Sequence, residues 1–195
     1  MIRSGVIERK TKETDIYMKI KTEGVGSFKG DTGIGFFNHM LNSFARYGFF
    51  DIELKITGDL EVDCHHTIED VGIVLGQCIG KICESKEGIK RIGTSFIPMD
   101  ETLARCSIDL SGRSFLVFNA EFSRDNINGF DLEMVEEFFG AVSSNAKMNL
   151  HNSILYGTNN HHMVEALFKA FGRALSEAIS DDIRVQGVLS TKGCI

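Results

Sequence analysis

The chain has 195 residues, 43% of them hydrophobic and 25% charged, with a formal charge of −6. This is the composition of a globular protein able to bury a full core, and the acidic balance excludes a nonspecific nucleic-acid surface. No apolar run approaches a membrane span, and the start Met1-Ile2-Arg3-Ser4-Gly5 carries no signal-peptide apolar region.

Residues 6–23 alternate loosely, with Ile16, Met18 and Ile20 on one face of a strand that begins at Glu13-Thr14. Gly24 to Gly35 reads as a glycine-rich loop, and its Gly33-x-Gly35 lacks the rest of a dinucleotide fingerprint. Phe36 to Tyr47 reads as a helix with Phe37, Met40, Leu41 and Phe44 inward, His39 near its start and Gly48 closing it. Phe50 to Thr57 is a strand, Gly58-Asp59 a turn, and Ile68 to Ile82 a helix opened by His65-His66. The second half repeats the order. Arg91 to Ile97 and Thr102 to Leu110 read as strands around a turn at 98–101, and Phe115 to Phe122 as a third. Asn126 to Gly129 reads as loop, Leu132 to Ala146 as a helix, and Met148 to Tyr156 as a strand carrying His151. His161-His162 then opens a helix over Val164 to Ile179. Helix, strand, glycine turn and His-His helix recur, so the chain reads as an internal duplication. The expectation is a single α+β domain, 1–195, made of two repeats, roughly 1–90 and 91–195, each a sheet with helices packed on it. The five cysteines (Cys64, Cys78, Cys83, Cys106, Cys194) are odd in number and lack Cys-x-x-Cys spacing, which predicts reduced thiols in a cytoplasm.

The repeated element is His-His-x-x-Glu: His65-His66-Thr67-Ile68-Glu69 and His161-His162-Met163-Val164-Glu165. Residues four apart share a helix face, so His65 pairs with Glu69 and His161 with Glu165. Imidazole and carboxylate together suit a first-row divalent metal. His66 and His162 project roughly 100° away, toward a second metal or the other repeat. The remaining histidines, His39 and His151, each lie upstream of one pentapeptide. The tail Ser190-Thr191-Lys192-Gly193 offers hydroxyls, amides and a lysine for an oxyanion, and Arg91 and Arg113 add guanidinium candidates.

Several long motifs lie in order. They are Gly35-Phe36-Phe37-Asn38-His39-Met40-Leu41, Asp63-Cys64-His65-His66-Thr67-Ile68-Glu69-Asp70, Asp109-Leu110-Ser111-Gly112-Arg113, Gly157-Thr158-Asn159-Asn160-His161-His162-Met163-Val164-Glu165-Ala166, Phe168-Lys169-Ala170 and Ser190-Thr191-Lys192-Gly193. Through them the chain resembles the imidazoleglycerol-phosphate dehydratases along nearly its whole length. The resemblance implies a duplicated four-stranded sheet backed by helices (the ribosomal protein S5 domain 2-like fold). It implies a hollow assembly of twenty-four chains with two Mn2+ ions per active site, held between subunits. It implies dehydration of D-erythro-imidazole glycerol phosphate to imidazole acetol phosphate in histidine biosynthesis, through a metal-stabilised imidazolate and a diazafulvene-like intermediate. No nucleic-acid or membrane partner is implied.

By the resemblance, the metal ligands are His39, His65, His66, Glu69, His151, His161, His162 and Glu165. Pseudo-symmetry divides them into one set of His65, Glu69, His151 and His162 and another of His161, Glu165, His39 and His66. Each set mixes the two repeats, which needs a folded-back chain or a neighbouring subunit, and the diverging faces of the helix starts favour the neighbour. Glu13 corresponds to the family's acid/base carboxylate, and Asp100 and Glu101 match a second acidic motif; Glu69 and Glu165 belong to the catalytic centre as ligands. Phosphate falls to Arg91, Arg113, Ser190 and Lys192, and Lys169 lines the site. The chain departs from the family at Asn38, where an aspartate is usual and whose lost charge would weaken support of the metal. It departs also at Ser43, where a glutamine is common, and at Ser114, where a proline is. Two other readings fit the residues. A di-metal phosphate-ester hydrolase would hold two ions about 3.5–4 Å apart, and a metal-stapled assembly protein would do no chemistry.

Overall fold

The computed structural model describes residues 2–193, so Cys194 lies outside the described residues. The first half contains β1 (Ser4–Lys10), β2 (Thr14–Lys21), β3 (Phe28–Lys29), α1 (Gly35–Gly48), β4 (Asp51–Gly58) and α2 (His65–Ile82). The second contains β5 (Ile92–Met99), β6 (Thr102–Asp109), β7 (Phe115–Asn119), the small hairpin β8 (Asn126–Ile127) and β9 (Phe130–Asp131), α3 (Met134–Ala146), β10 (Asn149–Tyr156) and α4 (Asn160–Ala178). The four-stranded sheets run β1-β2-β4-β3 and β5-β6-β10-β7, the same order twice. Pro98 is tolerated because β5 is an edge strand and needs no second ladder partner there.

The helices lie between the sheets. α2 packs on β1 and β2, α4 on β5 and β6, and across the middle α1 meets α4 and α2 meets α3. One continuous core results, with Ile16, Met18, Ile52 and Leu54 from one sheet, Ala104, Cys106, Ile108 and Leu150 from the other, and Phe44, Phe138, Phe168 and Phe171 between them. Two glycines allow the helices this proximity. A Cβ on Gly76 would stand 2.7 Å from the Val142 carbonyl oxygen of α3, and one on Gly172 would stand 2.5 Å from the Phe44 carbonyl oxygen of α1. Each glycine occupies the same place in its repeat, counted from the first histidine of its pentapeptide.

The outer faces of the sheets differ. Paired residues on the first are charged or polar: Lys10 opposite Asp15, Lys19 opposite Glu53, and Tyr17 opposite Lys55. The second exposes Ile92 at 55%, Phe96 at 56% and Phe115 at 63%. His151 is on that outer face too, between Ser107 and Val117 on the neighbouring strands.

The strand expected to begin at Glu13-Thr14 is β2, and the loose alternation before it forms a second strand, β1. The chain reverses at Thr11–Thr14, where the Thr11 N–H donates to the Thr14 carbonyl and the Thr14 N–H to the Thr11 hydroxyl. β3 arises inside the expected glycine loop, and β8–β9 where loop was expected, because two-residue strands carry no periodicity to read. The helix expected from Ile68 begins at His65, and the one expected from Val164 begins at Asn160.

Candidate metal and oxyanion site

Both pentapeptides sit at helix starts held by side-chain caps. Asn159 Oδ1 accepts from the N–H groups of His161 at 3.0 Å and His162 at 3.4 Å. In the first repeat, Asp63 Oδ1 accepts from the His65 N–H at 2.8 Å. These bonds satisfy donors that a helix start leaves open, and so fix the turn from which both imidazoles project.

His39 of α1 and His161 and Glu165 of α4 meet at one point. The Nε2 atoms of both histidines lie 3.2 Å from the same carboxylate oxygen, Oε2 of Glu165. The other oxygen, Oε1, is taken by Lys169 Nζ at 2.9 Å and faces the Ser43 hydroxyl at 3.4 Å. Burial would push the Glu165 carboxyl up, but the Lys169 ammonium and His39 outweigh it and hold it below the ordinary value. Among the described residues these three form the metal-competent cluster, with ligand atoms all within 4.8 Å of one another. Two imidazole nitrogens and a carboxylate oxygen suit a first-row divalent ion. All three belong to the second ligand set named above.

The fourth member of that set, His66, is held elsewhere. Its Nδ1 is 2.9 Å from Asp59 Oδ2 and its Nε2 is 3.8 Å from Glu13 Oε1. The hydrogen bond to Asp59 and the nearby Glu13 raise its pKa against the opposing effect of burial. In the other set, His65 Nε2 lies 3.7 Å from Glu69. His162 has Nδ1 2.8 Å from Glu101 Oε2 and Nε2 3.8 Å from Asp100 Oδ2. Glu101 Oε1 also accepts from the N–H groups of Thr158 and Asn159 at 3.2 and 2.7 Å and from the Thr102 hydroxyl at 3.0 Å. His162 first, then these amides, hold the Glu101 carboxyl far below the usual carboxylate range. His151 joins none of these groups: it projects from the outer face of the second sheet, and the helices lie on the other side.

Arg91, Arg113, Ser190 and Lys192 line one cavity of about 800 Å³, with Ser111 and Leu189. Arg91 spends its fork on Asp109, Nε to Oδ1 at 2.7 Å and Nη2 to Oδ2 at 3.0 Å, and gives Nη1 to the Leu189 carbonyl at 2.7 Å. None of the eight histidine and glutamate candidates lines this cavity.

Several contacts escape sequence reasoning. Asp59 reads as a turn residue, yet it holds an imidazole. Buried Asp70 accepts from Arg9 at 2.5 Å and from the Thr14 hydroxyl, clamping the hairpin that carries Glu13 onto α2. Asn38 does not touch its neighbour His39 as a supporting group would. Its Oδ1 accepts from the N–H and hydroxyl of Thr32, both at 2.8 Å, and its Nδ2 donates to Asp31 Oδ1 at 2.8 Å. The departure at position 38 therefore concerns the loop before α1. Ser43, where a glutamine is common in the family, faces the Glu165 carboxylate.

A profile of the imidazoleglycerol-phosphate dehydratase family matches residues 32–175. The chain is 55% identical to the imidazoleglycerol-phosphate dehydratase of Clostridium acetobutylicum over 193 residues, 99% of this chain and 98% of the relative. It is 53% identical to that of Acetivibrio thermocellus over the full length of both. The crystal structure of imidazoleglycerol-phosphate dehydratase from Staphylococcus aureus superposes with a TM-score of 0.81 at 40% identity, covering 93% of this chain and 100% of that one. The corresponding protein from Pyrococcus furiosus does so at 0.81 and 35% identity, covering 97% and 100%.

Proposed function

The chain belongs to the imidazoleglycerol-phosphate dehydratase family and is a hydro-lyase of histidine biosynthesis, and we propose that it works at a two-metal site completed by neighbouring copies of itself. The observation that carries the proposal is the convergence of His39, His161 and Glu165 on one point, with Lys169 occupying the far carboxylate oxygen. That leaves Glu165 Oε2 and two imidazole nitrogens for one Mn2+ ion. His65 and Glu69, with His162 and His151 from elsewhere in the assembly, would hold the second, and His66 would complete the first in the same way.

Bound Mn2+ supplies Lewis-acid polarisation of the substrate's imidazole ring, which makes the neighbouring C–H removable. The chain's own groups do the rest. Glu13 stands at a hairpin tip 3.8 Å from His66 Nε2, anchored through Asp70, and is placed to move a proton. Asp100, at the corresponding tip of the second repeat, is the second proton-handling candidate. Ser190, Lys192, Arg113 and the unspent N–H groups of Arg91 would grip the phosphate of D-erythro-imidazole glycerol phosphate. Dehydration then yields imidazole acetol phosphate.

Two observations support assembly. His151 is separated from the helix layer by its own sheet, so it serves a site only on another copy. The face it occupies is the apolar one, and an exposed apolar face of this kind marks a contact surface. A closed assembly of twenty-four chains is the expected form. No helix among the described residues is long and apolar enough to cross a membrane. Four buried free cysteines suit a reducing cytoplasm. A bridged di-metal hydrolase is disfavoured, since relatives matching the chain along its whole length are dehydratases.

The test incubates metal-stripped and Mn2+-reconstituted protein with imidazole glycerol phosphate and follows the keto product. Product is expected only with metal and is expected to vanish in Glu13→Gln. Equal product from the stripped protein would overturn the metal reading.

A further inference from the structure

The two hairpin tips are structural equivalents. Lys12-Glu13 stands between Thr11 and Thr14 in the first repeat, and Asp100-Glu101 between Met99 and Thr102 in the second. Glu13 and Glu101 thus occupy the same place, one residue before a buried threonine. Their surroundings differ. Glu101 is tied by three donors on Oε1 and by the His162 ring on Oε2. Glu13 has one contact to an imidazole, at 3.8 Å, because the Nδ1 of His66 is already taken by Asp59.

We infer that Asp59 and Glu101 are matched positioning carboxylates that keep the proton of His66 and His162 on Nδ1, so that Nε2 is presented as a lone-pair donor, and that Asp59 thereby leaves Glu13 free to act on substrate. The inference rests on the metal site proposed above. Its physical basis is the donor inventory. An ionised carboxylate only accepts. With Oε1 of Glu101 accepting two amides and a hydroxyl, Oε2 faces the ring as an acceptor, and the ring nitrogen opposite it must carry the hydrogen. The Nε2 of each ring then points away from its anchor, toward Asp100 or Glu13. Histidine ligands are commonly oriented in this way by an outer carboxylate, which sets the tautomer and the ring plane.

Glu101→Gln is the sharp test, because the three donors dictate how the amide sits. Its oxygen must stay on Thr158, Asn159 and Thr102, so its NH2 faces His162 Nδ1. That nitrogen must become the acceptor, and the proton moves to Nε2, where it blocks metal. Asp59→Asn is less constrained, since Asp59 Oδ1 is buried with no partner among the described residues and the amide can turn.

The readout is 15N solid-state NMR of histidine-labelled, metal-free protein at about pH 8.5, above the ordinary imidazole pKa of about 6.5. One imidazole should change from Nδ1–H to Nε2–H in Glu101→Gln. The Mn2+ affinity of one of the two sites should fall about 10–100-fold, while Glu13→Gln keeps both affinities. An unchanged tautomer population overturns the inference, as does a shifted tautomer with wild-type Mn2+ binding. Should the variant fail to assemble, the wild-type spectrum still decides: rings protonated only on Nε2 overturn it. Because the tautomer is read without metal, it judges Glu101 even where wild-type protein binds no Mn2+, the separate result that would sink the proposed site.

Discussion

Gly172→Ala should cost both stability and metal binding, whereas the same change at Gly140 should stabilise. Both positions are helix interiors, where alanine is favoured over glycine by about 0.8–1.0 kcal/mol. A Cβ at Gly140 meets only Leu116 Cδ2 at 3.8 Å, an ordinary contact, so the propensity gain of about 1 kcal/mol is kept. A Cβ at Gly172 would lie 2.5 Å from the Phe44 carbonyl oxygen and 3.0 Å from the Gly48 amide nitrogen. Both are backbone atoms and cannot rotate aside. Helices α1 and α4 must separate by roughly 1 Å to restore contact distance, and overpacking of this kind costs about 1–3 kcal/mol. At the upper end, less the propensity gain, Gly172→Ala loses about 2 kcal/mol. The two variants then differ by about 3 kcal/mol, roughly 6–12 °C in Tm for a chain of this size. Calorimetry on metal-free protein at one protomer concentration reads the difference. His39 rides on α1 while His161 and Glu165 ride on α4, so the same separation opens the cluster. A shift of about 1 Å at such a site is enough to disable it, and Mn2+ affinity should fall in Gly172→Ala alone. A Gly172→Ala protein as stable as Gly140→Ala, with wild-type Mn2+ affinity, would refute the reasoning.

Lys169→Met should strip Glu165 of its compensating charge and cost about 3 kcal/mol in the metal-free protein at pH 7. Because the folded Glu165 pKa is depressed, its contribution is present above the unfolded value of about 4.3 and is lost as pH falls through the folded value. The gap between variant and wild type in urea melts should therefore narrow on acidification; a gap independent of pH would count against the ion pair. Asn38→Asp places a second carboxylate against Asp31, whose own carboxyl is held low by the Gly33 amide and then by Asn38. The variant's Tm should fall at neutral pH and recover when either acid is protonated, with Mn2+ affinity unaltered. His151→Ala should halve Mn2+ stoichiometry, emptying one site and sparing the other; loss of both together would break the proposed division of ligands.

The helices were readable because their apolar faces are long and periodic, and the paired imidazole–carboxylate motif because it recurs in matching context. The separate strand β1 was not, since its inward positions, Gly5, Ile7 and Arg9, carry too little apolar character to read, and only hydroxyl and amide bonds mark the turn at Thr11–Thr14. The work of Asp59 and Glu101 was hidden for a related reason. Asp59 meets His66 across the irregular loop between β4 and α2, and Glu101 meets His162 from a distant hairpin, and no spacing rule encodes either contact. Position 38 misled because adjacency to His39 suggested contact, whereas residues next to one another on a helix face different ways.

The unequal hairpin tips carry a consequence for why the halves are joined. A dimer of two identical half-length chains would have to give both tips the same surroundings, so their glutamates would be both tethered or both loose. Covalent fusion lifts that restriction: one tip can be sacrificed to scaffolding while its twin is kept for chemistry.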